Sequence, residues 1–576
     1  MPVRLVLAAS LVCVTACVES RAPAAPSTPG APDAARGGDA NEPGADGATN
    51  DGVTPGEDGT ARDAGRTDAA WFFEDVTARA GIDVERPPVP PRSSYALRMS
   101  GGVCVLDADG QPPLDLFFAL GTSSRLYVAR SALAYTDRTT EAGLADAGFA
   151  NGCLAADLDL DGDDDLVLTG VGRVSIRLND GARFVDSPKA IEARIVSDAA
   201  YTSAAAADLD LDGDLDLVVG AFLRGAAVVP GAGGLPPYGM GMAVPNLLLV
   251  QQRAGRWVDR APTLAPDLAR EEATLVVVAR DFDADGRPDV YVGNDFGAIH
   301  RDRVLVREAD GVFRDHSDRI GLAYTQRGTG GDTMGFASAD FDGNGKLDHI
   351  ATSFQGDPSA VFICGEDGFC DDQALQWEGT VALMDSFRWG VLAADLDLDG
   401  DPDVVEATGH IDTDEDAPGR PPQLAWRQRP NLLLNDRGMR FVPVEAPEGE
   451  GRHEPMAARG IAVADLDDDG RPDVVLAPAE GRPRLLRNVA MRRGRWIRIV
   501  PRPNVPGTRV VVRAGGRSWL VERVAGEGYL GNFDPRPTFG LGEVGGRVAV
   551  QVTWPDGRSV GPLDLAVDAM HVVTAP

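Results

Sequence analysis

Short apolar runs recur along the chain, each closing at or next to a Gly, Pro or Asn, as in LVLTG, LVVGA, VYVGN and VVLAP. Runs of this length, rich in β-branched residues and bounded by turn formers, predict strands rather than helices. Each leads to a second apolar run, a polar turn and an aromatic residue: SIRLNDGARFVD, LLLVQQRAGRWVD, VLVREADGVFRD, VFICGEDGFCDD and LLLNDRGMRFVP. The aromatic positions are Tyr135, Phe184, Trp257, Phe313, Phe369 and Phe441. The chain therefore reads as a repeat array of small sheets.

Before each unit stands a carboxylate-rich loop, D-x-D-x-D-G-x-x-D. Six copies are near complete, with candidate ligands Asp157, Asp159, Asp161 and Asp165; Asp208, Asp210, Asp212 and Asp216; Asp281, Asp283, Asp285 and Asp289. The remainder are Asp340, Asp342, Asn344 and Asp348; Asp395, Asp397, Asp399 and Asp403; and Asp465, Asp467, Asp469 and Asp473. A weaker copy places Asp107, Asp109 and Asp115 at loop length but has Gln111 and Pro112 in place of Asp-Gly. Alternate carboxylates at loop positions 1, 3 and 5 converge as the chain curls. Gly at 6 permits the sharp turn, and the carbonyl at 7 and Asp at 9 complete an oxygen shell. Hard oxygen donors without His or Cys select calcium over zinc or copper. About six ions are expected, with a seventh if the first loop binds.

An EF-hand would need Glu at loop position 12 and flanking helices. That position holds Leu168, Val219, Val292, Ala351, Glu406 and Leu476, and the flanks read as strands. The seventh loop lacks a following aromatic strand, whereas WFFEDV (71–76) precedes the first loop. Circular closure, with Phe73 supplying the missing strand, removes the open edge. The expectation is an all-β chain: a seven-bladed β-propeller over 71–490, then a small C-terminal β domain over 491–576.

Residues 1–17 have the charge, short apolar run and Val14-Thr15-Ala16-Cys17 ending of a lipoprotein signal peptide. The sequence thus predicts lipidation at Cys17 and a bacterial outer-membrane or cell-surface lipoprotein, held to the membrane by that anchor only. Residues 18–70, rich in Pro, Gly, Ala and Asp, read as a disordered tether. Export favours disulfides: Cys364 and Cys370 flank a tight-turn sequence and are expected to pair, and a Cys104–Cys153 bond is a further possibility. Of 576 residues, 55 are Lys or Arg and 88 Asp or Glu, a net charge of −33 that argues against nucleic acid. The C-terminal domain runs the other way, with twelve Arg against seven acids. Its arginines suit docking on the acidic propeller, or contact with acidic polysaccharide or lipid headgroups.

The stretches FFEDVTARAGI, GNDFG, TMGFASADFDGNGKLD, ATGHI and ARGIAVADLDDDGRPDVV, with GEGYLGNFDPRPTFGLGEV and VTWPDGRSV near the C-terminus, resemble the integrin-alpha/VCBS (FG-GAP-like) calcium-binding repeat family. They are similar to the branch with a C-terminal ASPIC/UnbV domain, the cartilage acidic protein family. The resemblance implies extracellular, calcium-dependent binding without naming a ligand. The chain lacks the literal Phe-Gly…Gly-Ala-Pro cassette.

Three function classes follow. A surface interaction or adhesion module fits the anchor, tether and rigid repeats, its partner an unknown protein or polysaccharide. A lectin-like propeller is the alternative: Trp377, Trp389 and Trp426 would stack on sugars if exposed and pack the core if not. A polysaccharide-active enzyme is third, since no GxSxG, HExxH, P-loop or dinucleotide motif is present. His300, His316, His349, His410 and His453 are scattered. His410 and Asn294-Asp295 read as structural. No catalytic residue is assigned, and calcium is expected to staple the loops rather than bridge to substrate.

Overall fold

In a computed structural model, residues 72–576 are described apart from 92, 147, 189, 226–241, 253–255, 417, 422–423, 437, 445–453 and 491–493. The signal peptide, Cys17, the tether, Trp71 and His453 lie outside the described residues.

Each repeat folds as an antiparallel sheet, most of its strands joined by connections too short for a parallel crossover. Six sheets follow chain order, for example Gly152–Ala156, Asp165–Gly170, Arg173–Asn179 and Phe184–Asp186. One of them adds a fifth, parallel strand, Ala190–Glu192. A seventh joins the ends of the array: Phe73–Asp75 pairs with Arg484–Asn488, Phe73 lying opposite Asn488. Circular closure through Phe73 is thus present. First strands of neighbouring sheets meet in sequence, except that the fourth and fifth sheets join through a shared core of Val276, Val278 and Phe336, and Gly102–Leu106 touches Ala458–Ala464, so the ring of sheets returns to its start. The result is a nearly all-β propeller.

The aromatic residues of the fourth strands anchor apolar cores between adjacent sheets. Tyr135, Phe184, Trp257, Phe313 and Phe441 are buried. Phe369 is a correction: it is 45% exposed, and its neighbour Cys370 occupies the equivalent buried place opposite Cys364. The sheets accept Cys370 there because it is disulfide-bonded to Cys364, so a small covalent pair replaces a large ring. A second disulfide, Cys104–Cys153, links the first strands of two adjacent sheets.

The C-terminal domain packs a three-stranded and a four-stranded sheet around Ile497, Val510, Val512, Phe539, Val550 and Trp554. It is not a separate bead. Residues 525–534 run along the innermost propeller strands, making bridges Ala206–Ala525, Phe336–Gly528 and Val103–Gly531. The Asn532 side chain accepts from the Val105 amide at 2.9 Å and donates to the Val105 carbonyl at 3.2 Å. Tyr529 donates its hydroxyl hydrogen to the Met99 carbonyl at 3.2 Å. Glycine is required at Gly526, where φ is +92° and a Cβ would sit 2.1 Å from the Ala204 carbonyl oxygen.

Candidate metal centres

The carboxylate loops fold around their own backbone. Gly at position 6 takes a left-handed conformation, as in Gly162 (φ 107°) and Gly213 (φ 97°), and its amide donates to the first aspartate. Gly162 donates to Asp157 at 3.0 Å and Gly400 to Asp395 at 2.7 Å. Position 4 is also left-handed, in residues that pay for it sterically: Leu160, Leu211, Ala284, Leu398 and Asp468. Local strain repeated at one loop position marks an imposed geometry. The sequence reading missed it; Gly110 and Gly343 at the same position in two other loops were the available signal.

The ninth-position aspartate ties loop to sheet. Asp165 is fully buried; one oxygen accepts from Leu158 at 2.9 Å and the other from Asn179, on the third strand, at 2.7 Å. Asp216, Asp289, Asp348, Asp403 and Asp473 repeat the arrangement. So does Asp115, through Ala108 and Ala129.

Carboxylate oxygens of Asp157, Asp159 and Asp165 lie within 4.8 Å of one another, as do those of Asp208, Asp210 and Asp216, and of Asp281, Asp283 and Asp285. Asp107, Asp109 and Asp115 converge equally, so the weaker first loop keeps the geometry. Among the described residues, Oδ1 of Asp107, Asp157, Asp210, Asp340 and Asp467 is buried without a hydrogen-bond partner. A buried, unpaired carboxylate oxygen is costly unless a cation takes it. The donor set, all hard oxygen, fits calcium. The remaining candidates occupy the same turns: Asp161 and Asp212 accept from the amides of Asp163 and Asp214, and Asn344 from Lys346. Asp469 accepts from Arg471, and Asp399 from Asp401. Asp342 accepts from Asn344.

Burial pushes these carboxyls upward, helped by their acidic neighbours: Asp157 and Asp340 to about 6, and Asp165, Asp216, Asp289 and Asp348 to about 8. Such groups hold protons in the native state at pH values where the unfolded chain, with aspartate near 3.9, has lost them. Native binding of more protons makes stability fall as pH rises. In chelator, the melting temperature is therefore expected to fall between about pH 5 and 8. Calorimetric scans across that range check this; a melting temperature that rises would contradict it.

Arginines of the C-terminal domain meet the loops. Arg498 pairs with Asp465, both 1% exposed, and reaches Asp468 at 3.1 Å. Arg509 reaches Asp281 at 2.9 Å, Arg517 pairs with Asp401, and the Trp519 indole donates to the Gly400 carbonyl at 2.8 Å. The basic excess of this domain is thus spent, at these positions, on the propeller.

Other candidates lie buried inside the fold. Trp377, Trp389 and Trp426 are buried, and Arg459 lies 4.4 Å and 4.9 Å from the ring centroids of the last two. Asn294 is buried in a network with Glu272, Asp302 and Thr274, and His410 accepts from the Asp412 amide at 2.9 Å. Glu406, at an EF-hand-like position, instead accepts from Ser359 and Asn431. Among the described residues, no helix is long and apolar enough to cross a membrane.

Residues 157–219 and 247–351 match the FG-GAP-like repeat, and 501–576 match ASPIC and UnbV. Cartilage acidic protein 1 of Xenopus tropicalis is 27% identical over 285 residues, covering 47% of this chain and 40% of that protein. The Homo sapiens protein is 26% identical over 325 residues, covering 51% and 45%. The matched stretch thus spans less than half the length of these relatives. Among solved structures, an Agrocybe aegerita lectin that recognises non-reducing terminal N-acetylglucosamine aligns with a TM-score of 0.38 and 18% identity, covering 69% of this chain and 92% of that one. The V. cholerae biofilm matrix protein Bap1 aligns with a TM-score of 0.32 and 12% identity, covering 74% and 92%. The chain carries FG-GAP-like repeats followed by an ASPIC and UnbV domain, and it is similar to cartilage acidic protein 1.

Proposed function

We propose that the protein is a calcium-stapled, seven-bladed interaction module, non-enzymatic, exported and held at the cell surface by an N-terminal lipid anchor. The observation that carries this reading is the repeated buried carboxylate oxygen without a hydrogen-bond partner. Positions 1, 3, 5 and 9 of each loop would hold the ion, which would neutralise the cluster and lock the turn onto its sheet. Strapped loops and a docked C-terminal domain suit a rigid scaffold that presents surfaces to a protein or polysaccharide. The carbohydrate reading loses its three tryptophans as stacking platforms, since all are buried.

Metal analysis of an Asp208→Ala/Asp210→Ala variant against the unaltered protein tests the assignment. One calcium fewer per chain is expected. An unchanged calcium content would remove this loop from the account.

A further inference from the structure

Between the loop face of the propeller and the C-terminal domain lies a cavity of about 150 Å³, walled on its apolar side by Trp519, Phe533 and Phe539. Three charged side chains line it from opposite domains: Arg280 from the propeller, and Arg523 and Glu527 from the C-terminal domain. Their exposures are 3%, 4% and 4%. Nε and Nη1 of both arginines and Oε1 of Glu527 are buried without hydrogen-bond partners. Arg280 Nη2 stands 3.7 Å from Glu527 Oε1, beyond hydrogen-bond reach.

The other acids around the cavity have partners of their own, apart from Oδ1 of Asp340, which belongs to its carboxylate loop. Glu522 pairs with Arg509 at 3.2 Å, Asp534 with Arg536 at 2.7 Å, and Asp465 with Arg498. Asp340 and Asp395 accept from the amides of their own loops. Two guanidinium groups and one carboxylate therefore face the space with four unused donors. Leaving such donors buried and unmade is expensive, and a planar oxyanion matches a guanidinium fork. Glu527 Oε1 is the one unused acceptor among the three, placed to take a hydroxyl hydrogen. A cavity of about 150 Å³ accepts a ligand near the size of benzene.

We propose that this interdomain cavity binds a small hydroxy-monocarboxylate, its carboxylate held by Arg280 and Arg523 and its hydroxyl by Glu527. Arg517, 46% exposed at the cavity's edge, marks the side open to solvent.

Calorimetric titration of the full chain in calcium tests this with lactate as the probe and lactamide, its neutral isostere, as comparator. Saturable lactate binding is expected, at least tenfold weaker for lactamide and at least tenfold weaker in Arg523→Met. No saturable lactate binding, or equal affinity for lactamide, would overturn the proposal; neither comparison depends on a variant folding. Lactate binding unchanged in both Arg523→Met and Arg280→Met would overturn it as well.

Discussion

Gly526→Val is expected to release the C-terminal domain from the propeller and to cost about 3 kcal/mol or more, summing left-handed strain of ~1–2 kcal/mol with overpacking of ~1–3 kcal/mol. Gly526 has a φ of +92°, and any Cβ there meets the Ala204 carbonyl at 2.1 Å. The backbone must shift, and with it go the adjoining Ala206–Ala525 bridge and the run of contacts through Asn532. Thermal unfolding with limited proteolysis reads the result: a lowered melt and faster cleavage near the domain junction. Gly545→Val, at a position where a Cβ meets nothing within 4 Å, is the matched control and should stay within about 0.5 kcal/mol. If the two variants melt alike, the inserted segment does not hold the domains together.

The second large effect is expected at the ninth loop position. Asp165→Ala removes both acceptors for the Leu158 and Asn179 amides, in a site with no exposure to water. Two buried donors left unmade cost about 1–3 kcal/mol each, so a loss of about 2–6 kcal/mol is expected. Denaturant melts in excess chelator separate this from any metal contribution. The cost should persist there, because hydrogen bonds rather than an ion join loop to third strand. A variant as stable as the unaltered protein in chelator would show that Asp165 acts through metal alone.

Much of this architecture is written locally. Loop spacing, strand lengths and the stray WFFEDV segment suffice to place the sheets and the closure through Phe73, because each reports on a turn or a pairing within a short stretch. At Phe369 register outweighs aromatic identity: burial follows the residue opposite Cys364, which is Cys370. The insertion of 525–534 was not legible either. GEGYLGNF has no strand alternation, and its glycines make sense only against the strands of Val103, Ala206 and Phe336, some 200 to 400 residues away. Interdomain arginine pairs were foreseeable as a charge imbalance but not as partners, since Arg498–Asp465 or Arg509–Asp281 depends on how the domains meet.

The carboxylate loops unite these levels. Spacing brings the acids together, left-handed turns hold them, and burial leaves one oxygen in several loops without a hydrogen-bond partner. A ligand that binds the native state alone stabilises it by mass action, by about 2.7 kcal/mol at a hundredfold excess over its Kd. The most direct test is thermal unfolding with calcium and then with excess chelator, alongside bound-metal stoichiometry on the same sample. The account predicts about six calcium ions per chain and a large fall in melting temperature on chelation. No bound calcium and an unchanged melt would contradict it.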